Sequence, residues 1–330
     1  MPSRNQYTAP WTKEELQWLR EVYPFANRNQ VLEWAKEHKR TIRAIINKAS
    51  YEGIKKVKKE KEIPVFPPKI KREISKINNF LLSSEIHKNP VLVLKPTKIV
   101  IGGDNHIPFN DVKAENEFLA FLKEEKPEIV IHQGDLLDFY EISNFRRVPL
   151  TQTEITEEIQ QGTCFLNKIR TILPKARIFY ICGNHEFRFQ KYLIDNAFVF
   201  YKVFALSLPE LLRLEELKIK FIPLKLQANK FSHNFMRIND ILIGHFDKSL
   251  QNAGYTARWL RDFFGKSIIT GHTHRLAITY KSFYNEIKFG VEAGCLCNLE
   301  PSYVTSPDWT QGFVELRFEK NKWQVICWRI

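Results

Sequence analysis

The chain has 330 residues, of which 44% are hydrophobic and 26% are charged, and its formal net charge is +13. This composition is typical of a soluble globular protein. No apolar run approaches the roughly 18 residues that a membrane span requires, and the polar start of the chain lacks the apolar core of a secretory signal. We therefore expect a cytoplasmic protein that has no membrane association.

The five cysteines are odd in number, widely scattered and without the spacing of zinc knuckles or redox motifs. They are Cys164, Cys182, Cys295, Cys297 and Cys327. We expect all five to be reduced thiols, as in a cytoplasmic compartment.

The positive charge is unevenly distributed along the chain. Residues 1–97 hold 20 of the 50 basic residues and 10 of the 37 acidic ones, which leaves 30 basic and 27 acidic residues in the remainder. An excess of positive charge in one segment suggests a polyanionic partner, with nucleic acid as the first candidate. A basic segment that serves only solubility would explain the charge equally well.

Three short helices are predicted near the start of the chain. The first follows a capping box formed by Thr12 and Glu15, the second spans about 28–38, and the third spans about 40–52. Gly53 stands where a C-terminal cap is expected. The predicted apolar face of the third helix consists of Ile42, Ile45, Ile46 and Ala49.

The third helix is basic outside its apolar face, which is the pattern of a helix-turn-helix module. The runs Trp-Thr-Lys-Glu-Glu-Leu and Arg-Thr-Ile-Arg-Ala-Ile-Ile-Asn-Lys-Ala-Ser-Tyr-Glu-Gly-Ile-Lys-Lys resemble Myb-like or homing-endonuclease-associated helix-turn-helix domains over residues 8–58. The resemblance implies that DNA is a partner, with Arg43 and Asn47 reading bases while the surrounding cations hold phosphates. A helical bundle that docks on another protein is the alternative. The candidate DNA-binding residues are Arg40, Arg43, Asn47, Lys48, Lys55 and Lys56.

The next segment combines alternating charges with three prolines, which predicts an extended, semi-rigid linker. A short helix over 74–87 and a strand over 91–94 are also predicted. The predicted organisation is a helix-turn-helix domain at 1–57, a basic proline-containing linker at 58–96 and a catalytic domain at 97–330.

Five motifs in residues 104–274 each follow an apolar run that predicts a buried strand. They are Gly-Gly-Asp-Asn-His, Gly-Asp-Leu-Leu-Asp, Gly-Asn-His-Glu, Ile-Gly-His and Gly-His-Thr-His. A strand that ends in glycine and then offers aspartate, asparagine or histidine places metal ligands at the carboxyl edge of a sheet. Oxygen and imidazole ligands without thiolate suit Mn²⁺, Fe or Zn²⁺. The ligands are too numerous for one ion and sufficient for two.

The rest of the chain predicts the architecture around these motifs. Helices over 112–125 and 153–173 alternate with strands, which indicates βαβ units. Residues 187–217 are predicted to be helical, with aromatics such as Phe198 and Phe200 in the core. Four antiparallel strands are predicted after residue 275. The predicted fold is an α/β (α+β) sandwich of two mixed sheets flanked by helices, joined to a small three-helix domain.

The ordered motifs resemble those of the calcineurin-like metallophosphoesterase family over roughly residues 97–320. The resemblance implies two divalent metal ions, most readily manganese, with iron, zinc, nickel or magnesium as other options. It implies that the first ion is bound by Asp104, His106, Asp135 and His274. It implies that Asp135 bridges to the second ion, which is also bound by Asn184, His245 and His272.

The same resemblance places His185 beside the scissile phosphate as the general acid, oriented by Asp138. A metal-bridging hydroxide would be the nucleophile, and no phosphoenzyme is expected. Arg188 and Arg275 are candidates for gripping non-reacting phosphates, although each could instead be a surface arginine. Phe139 and Tyr140 follow Asp138 where the Ser/Thr phosphatases of the family have Arg-Gly, which argues against protein phosphatase activity.

Near the C-terminus, Cys295 to Asn298 and the run Asp308-Trp309-Thr-Gln-Gly312-Phe313 resemble segments of phosphoesterases from phages and mobile elements. This resemblance implies that the compartment would be the host cytoplasm. The leading hypothesis is a metal-dependent phosphodiesterase, or nuclease, that acts on DNA. The second is a phosphomonoesterase or small-phosphodiester hydrolase that is only tethered to DNA. The third is a non-catalytic DNA-binding protein. The oligomeric state is left open.

Overall fold

The structure, a computed structural model, describes residues 10–26, 28–54, 91–143, 154–224, 226–227, 230–231, 234–284, 286–300 and 307–330. The chain divides into two compact units, residues 1–72 and 73–330. Among the described residues, no helix is long and apolar enough to cross a membrane. The predicted linker helix over 74–87 lies outside the described residues.

The first unit contains three helices: α1 (Lys13–Glu21), α2 (Arg28–Glu37) and α3 (Ile42–Tyr51). The predicted capping box is present, since the Thr12 hydroxyl accepts the N–H of Glu15 and the Glu15 carboxylate accepts the N–H of Thr12. Trp34 is central to the core, because Trp18 stacks on its ring with centroids 4.0 Å apart. The buried core comprises Leu19, Tyr23, Val31, Trp34, Ala35, Ile45 and Ala49.

The apolar face of α3 differs from the sequence prediction. Ile45 and Ala49 are buried, but Ile42 and Ile46 are exposed. Successive helical residues are rotated by about 100° around the helix axis. The side of α3 that packs against the other two helices therefore includes Ile45 and Ala49 but not Ile42 and Ile46. The predicted four-residue face was therefore wrong, and α3 presents two isoleucines to its surroundings.

The second unit contains two mixed sheets. The first has the strand order β13-β12-β1-β2-β3-β4, in which β1 to β4 are parallel. The second has the order β10-β11-β9-β8-β7, and β5 pairs with β6 separately. The strands are β1 (Thr97–Gly102), β2 (Ile129–His132), β3 (Arg177–Ile181), β4 (Ile219–Ile222), β5 (Leu226–Gln227), β6 (Lys230–Phe231), β7 (Asn234–Ile238), β8 (Ile241–His245), β9 (Ser267–Thr270), β10 (Leu276–Phe283), β11 (Glu286–Ala293), β12 (Gly312–Glu319) and β13 (Lys322–Arg329).

The helices of the second unit follow the strands. They are α4 (Val112–Glu125), α5 (Ile155–Ile172), α6 (Asn184–Asn196), α7 (Phe198–Tyr201), α8 (Leu208–Leu211) and α9 (Tyr255–Phe264), with 3₁₀ turns at Tyr140–Ile142 and Phe204–Leu206. α4 begins where Asp111 accepts two backbone N–H groups of its first turn. It spans the residues that the sequence predicted.

Two hydrophobic cores join these layers. One lies between the two sheets and combines Ile99 and Ile131 of the first sheet with Ile243 and Ile269 of the second. The other joins α4 and α5 to the first sheet. Side chains of a strand alternate between faces, so each of the parallel strands β1 to β4 contributes to both cores. The prediction of two mixed sheets flanked by helices is confirmed.

Two local predictions were wrong. Within 91–94, only Val91 forms a bridge, with Ile238, so this segment is not a strand. Residues 187–217 are largely helical, as predicted, but Phe198 and Phe200 are 58% and 54% exposed, so the prediction that they lie in the core was wrong. Their helix, α7, is only four residues long, and none of its residues is buried.

Glu158 generates a prediction about stability. Burial and the negative charge of Asp138 raise the pKa of Glu158 to about 8, while its Oε1 accepts the N–H of Phe139 at 2.5 Å. Since the ordinary pKa is 4.5, the folded state binds this proton more tightly than the unfolded state. The free energy of unfolding should therefore fall as pH rises from about 4.5 to about 8.

Glu158→Gln keeps an acceptor for Phe139 but cannot ionise, so it should remove this part of the pH dependence. Urea unfolding at several pH values in that window measures the effect. Glu158→Ala is the matched control, because it also cannot ionise but leaves the Phe139 N–H without this partner, so it should be about 1–3 kcal/mol less stable than Glu158→Gln at every pH. Identical pH profiles for Glu158→Gln and the parent protein would contradict the prediction.

Candidate metal centre

The five motifs meet at one edge of the second unit. β1, β2 and β3 are parallel, as are β8 and β9, and their carboxyl ends carry the motif residues. The structure brings all seven sequence-predicted ligands together at these ends. They are Asp104 and His106 after β1, Asp135 after β2, Asn184 after β3, His245 at the end of β8, and His272 and His274 after β9.

One group of side chains forms the first half of the site. His106 Nε2 lies 3.0 Å from His274 Nε2, and His274 Nε2 lies 3.5 Å from Asp104 Oδ1. His106 Nε2 is also 3.7 Å from Asp135 Oδ2. This is the set of four side chains expected for the first ion.

A second group shares Asp135 with the first. His245 Nε2 lies 3.2 Å from Asp135 Oδ2 and 2.8 Å from Asn184 Oδ1. The same amide oxygen is 2.8 Å from His272 Nδ1. Asp135 Oδ2 therefore faces both groups, in the position that a bridging carboxylate requires.

The donor atoms fit divalent ions. Atoms that bind one ion at about 2.0–2.2 Å lie about 3 Å or slightly more from each other, which matches the separations in both groups. His245 Nδ1 lies 3.2 Å from the carbonyl of Gln133. With Nδ1 donating there, a cation that replaced the Nε2 proton would face the Nε2 lone pair and the oxygens of Asp135 and Asn184 together.

The electrostatics of the site also favour positive charge. Burial alone would lower the pKa of His245, but the carboxylates of Asp135 and Asp104 raise it to about 10. Burial and the positive potential of His245 lower the pKa of His272 to about 4. Burial and His185 likewise lower the pKa of His106. Two of the imidazoles are therefore in the neutral form that binds metals.

Five of the candidate ligands have a strained backbone. The φ angles are 52° at Asp104, 53° at His106, 48° at Asp135, 72° at His272 and 57° at His274. A non-glycine residue in this left-handed region costs about 1–2 kcal/mol, and such strain concentrates at functional sites. Gly183 explains one close approach, since a Cβ there would collide with the carboxylate of Asp135.

His185 and Asp138 lie beside the shared carboxylate. His185 Nδ1 is 3.0 Å from the carbonyl oxygen of Asp138 and 3.3 Å from its Oδ2, and His185 Nε2 is 4.0 Å from Asp135 Oδ2. Burial lowers the pKa of His185, but Asp135 and Asp138 raise it above its ordinary value. Asp138 Oδ2 is also 3.0 Å from His106 Nδ1, so this carboxylate contacts two imidazoles where the sequence predicted one.

The two candidate arginines have different surroundings. Arg188 donates from Nη1 to the carbonyl of Asp138 at 2.9 Å, and its Nη2 lies 3.4 Å from His185 Nε2, so its guanidinium lies at the site. Arg275 instead donates from Nε to Asp308 and from Nη1 to the carbonyl of Leu250, at 2.7 and 2.6 Å. These two bonds occupy donors that phosphate binding would need, contrary to the expectation for Arg275.

The candidate DNA-binding residues of the first unit also differ in their exposure and in their ion pairs. Arg43 and Asn47 are exposed on α3. Arg40 is buried against Glu15, with Nη2 2.8 Å from Oε2, so it is not part of the exposed surface as predicted. Lys48 lies 2.6 Å from Glu52. Lys55 and Lys56 are outside the described residues.

Sequence reasoning assigned no role to Glu186. This buried carboxylate accepts four backbone N–H groups: Asp135 at 2.9 Å, Leu136 at 2.6 Å, Leu137 at 3.1 Å and Gly183 at 2.7 Å. It therefore ties the turn after β2 to the turn after β3. The sequence feature that could have identified this role is the position of Glu186 at the end of the Gly-Asn-His-Glu motif.

A second buried chain of hydrogen bonds supports the turn after β1. Burial lowers the pKa of His132 to about 3, so its ring is neutral. His132 Nδ1 accepts the N–H of Gly134 at 3.3 Å, and Nε2 donates to Asn105 Oδ1 at 2.9 Å. Asn105 donates in turn to Glu115 at 2.7 Å. His132 therefore supports the neighbours of Asp104 and Asp135.

Residues 97–276 match the family described as calcineurin-like phosphoesterase. Because the match spans more than half of the chain and includes the site, the protein belongs to this family and is a metal-dependent phosphoester hydrolase.

Two relatives are the Gene 54 proteins of Mycobacterium phages D29 and L5, each 26% identical to this chain over 240 and 235 residues. The alignments cover 68% and 66% of this chain, and 90% and 88% of the relatives. Both support the predicted relationship to phage proteins.

The solved structures that resemble this chain include Vps29 of Chaetomium thermophilum, with 10% identity and a TM-score of 0.34 over 71% of this chain and 98% of that chain. They also include Yfce, a phosphoesterase from E. coli, with 11% identity and a TM-score of 0.33 over 70% of this chain and 92% of that chain.

Glu186 generates a prediction about the site. Glu186→Gln places an amide NH₂ group against two backbone donors, because each carboxylate oxygen now accepts two N–H groups. The turn that carries Asp135 should shift, and metal affinity should fall about 10- to 100-fold, as for other residues that position ligands. Calorimetric titration with Mn²⁺ measures this loss. Glu117→Gln, a substitution of an exposed glutamate on α4, is the control, and equal affinities in the two variants would contradict the proposed role.

Proposed function

We propose that the protein is a two-metal phosphodiesterase that cleaves DNA. The observation that carries this proposal is the position of Asp135 Oδ2 between two complete sets of ligands, 3.7 Å from His106 Nε2 and 3.2 Å from His245 Nε2. Two ions at such a site neutralise the phosphoryl oxygens and supply an activated water at neutral pH. The proposed ions are divalent, with manganese first.

The proposed ligand sets are those of the sequence prediction. Asp104, His106 and His274 would hold one ion, Asn184, His245 and His272 would hold the other, and Asp135 would be shared between them. Asn184 contributes a neutral oxygen, so the two sets together hold only two carboxylates. The site therefore keeps net positive charge when both ions are bound, as binding of an anionic phosphodiester requires.

His185 is the proposed general acid. Asp138 accepts from its Nδ1, which leaves Nε2 directed towards the shared carboxylate. A proton at Nε2 can pass to the leaving oxygen of the ester, a step that contributes about 10²- to 10⁴-fold to the rate in such reactions. Arg188, next to His185, is placed to bind a non-reacting phosphoryl oxygen.

The first unit is the proposed DNA-binding module. Arg43 and Asn47 lie four residues apart on α3 and thus on one exposed face. Arginine pairs with guanine and asparagine with adenine in the major groove. Arg40 is no longer a candidate, since its guanidinium is paired with Glu15. The ion pair between Arg40 and Glu15 instead links α1 to the start of α3.

Hydrolysis assays test the proposed activity. We expect Mn²⁺-dependent cleavage of plasmid and oligonucleotide DNA that Asp135→Asn reduces by about 100-fold or more, since several kcal/mol of charge stabilisation is lost. His185→Ala should slow DNA cleavage by about 10²- to 10⁴-fold. The same variant should affect a nitrophenyl diester much less, because nitrophenolate leaves without a proton.

Several results would overturn this proposal. Turnover of the chromogenic diester with intact DNA would indicate a small-phosphodiester hydrolase that is only tethered to DNA. Preference for a phosphomonoester would indicate a phosphomonoesterase. Equal effects of His185→Ala on good and poor leaving groups would exclude the proton-donor role.

Point variants test the DNA-binding module in the full-length protein. Arg43→Ala and Asn47→Ala should each weaken specific duplex binding by about tenfold, since a bidentate base contact is worth about 1–3 kcal/mol. Lys13→Ala, which removes an exposed cation of α1, is the control. Fluorescence anisotropy with chelator present measures binding without cleavage. If Arg43→Ala and Asn47→Ala bind as tightly as Lys13→Ala at every salt concentration, α3 is not the DNA-reading surface.

A further inference from the structure

We infer that the exposed aromatic face of α9 binds unpaired bases, so that the strand to be cut is single-stranded where it approaches the metal centre. The inference rests on the proposed function and names a class of substrate for it. The aromatic face is defined by Tyr255, Trp259 and Phe263.

The three rings form an exposed stripe along one side of α9, which we call the stripe. They occur at every fourth position, which places them on one side of the helix at a spacing of about 6 Å. Tyr255, Trp259 and Phe263 are 51%, 39% and 63% exposed. The rings of Trp259 and Phe263 stack, with centroids 5.0 Å apart and planes 10° apart. Neighbouring apolar side chains exposed on a protein surface are candidates for a binding site.

The stripe is fixed rigidly to the metal centre. Glu292 is fully buried, and its Oε1 accepts the N–H groups of Thr256 and Ala257 in the first turn of α9, at 3.0 and 3.2 Å. Its Oε2 accepts the hydroxyl of Thr273 at 3.2 Å. Thr273 lies between His272 and His274, so one carboxylate joins the start of the stripe to two proposed ligands.

A loop forms a second connection between the stripe and the site. Asp247 Oδ1 lies 3.6 Å from His272 Nε2. The next residue, Lys248, places its Nζ 4.2 Å from the centre of the Trp259 ring. A strand that leaves the metal centre along this loop meets Trp259 within a few residues of a proposed ligand.

The charges near the stripe favour a nucleic-acid strand as the occupant. In the described part of the chain, neither Lys248 nor Arg258, which lies next to Trp259, forms an ion pair, whereas the acid Asp262 is paired with Arg261 and Lys281. Single-strand binding sites combine aromatic platforms for bases with cations for phosphates. A second copy of the chain fits less well, because an isologous contact would bring like cations together.

Binding and cleavage of short oligonucleotides test the inference in the full-length protein. Trp259→Ala and Phe263→Ala should each weaken binding of a single-stranded oligonucleotide by about tenfold, since one base stack is worth about 1–3 kcal/mol. Binding is measured by anisotropy with chelator present, and cleavage with Mn²⁺. Phe200→Ala is the matched control, because Phe200 is similarly exposed on α7. Hydrolysis of the chromogenic diester should be unchanged in all three variants.

The outcomes separate this inference from the proposed function. Selective loss of single-strand binding and cleavage, with duplex binding and diester turnover retained, supports it. If the protein cleaves single strands but Trp259→Ala and Phe263→Ala match Phe200→Ala, the inference is overturned and the nuclease proposal stands. If no nucleic acid is cleaved while the diester is, the proposed function fails, and the binding data alone then decide whether the stripe stacks bases.

Discussion

Two buried carboxylates, Asp104 and Asp135, are the constraint on which the site depends. Each lies inside the protein at the end of a parallel strand, and each repels the other's charge. Burial would raise the pKa of Asp135, yet the imidazoles of His245, His185 and His106 hold it well below its ordinary value. Buried anions persist only with compensating cations. The negative potential of Asp104 and Asp135, which raises the pKa of His245, also attracts divalent metal ions. The motif residues must converge because these two buried charges need compensating groups around them.

The fold supports that convergence with buried glutamates that bind no metal in the proposed site. Glu186 holds the turn that carries Asp135, and Glu292 holds the turn between His272 and His274. Glu115 fixes Asn105, and Glu158 holds the backbone after Asp138. A carboxylate that accepts several backbone N–H groups fixes a turn more firmly than packing does, which offsets the strain of the left-handed ligand residues. The aspartates are thus the proposed metal ligands, whereas the buried glutamates hold the backbone and side chains around them.

The proposals for the two units address different features of one substrate. α3 presents Arg43 and Asn47, a pair suited to base edges in a duplex groove. α9 presents stacked rings, which suit bases that have no partner. A DNA molecule with a duplex segment next to an unpaired strand would offer both features. The excess positive charge of residues 1–97 would add a contribution to binding that depends on salt but not on sequence.

The sequence by itself determined the parallel strands, the order of the motifs and the seven ligand candidates. Each ligand lies at or shortly after the end of an apolar run, and such a run is recognised from residues that are neighbours in the chain. It also determined α4 and the capping box of α1 for the same reason. Only the tertiary structure decided which charges are available. Arg40 pairs with Glu15 and Arg275 with Asp308, partners 25 and 33 residues away that no local pattern identifies. Exposure of Phe198, Phe200 and the α9 stripe likewise depends on which sheet faces are already covered, and neighbours distant in the chain decide that.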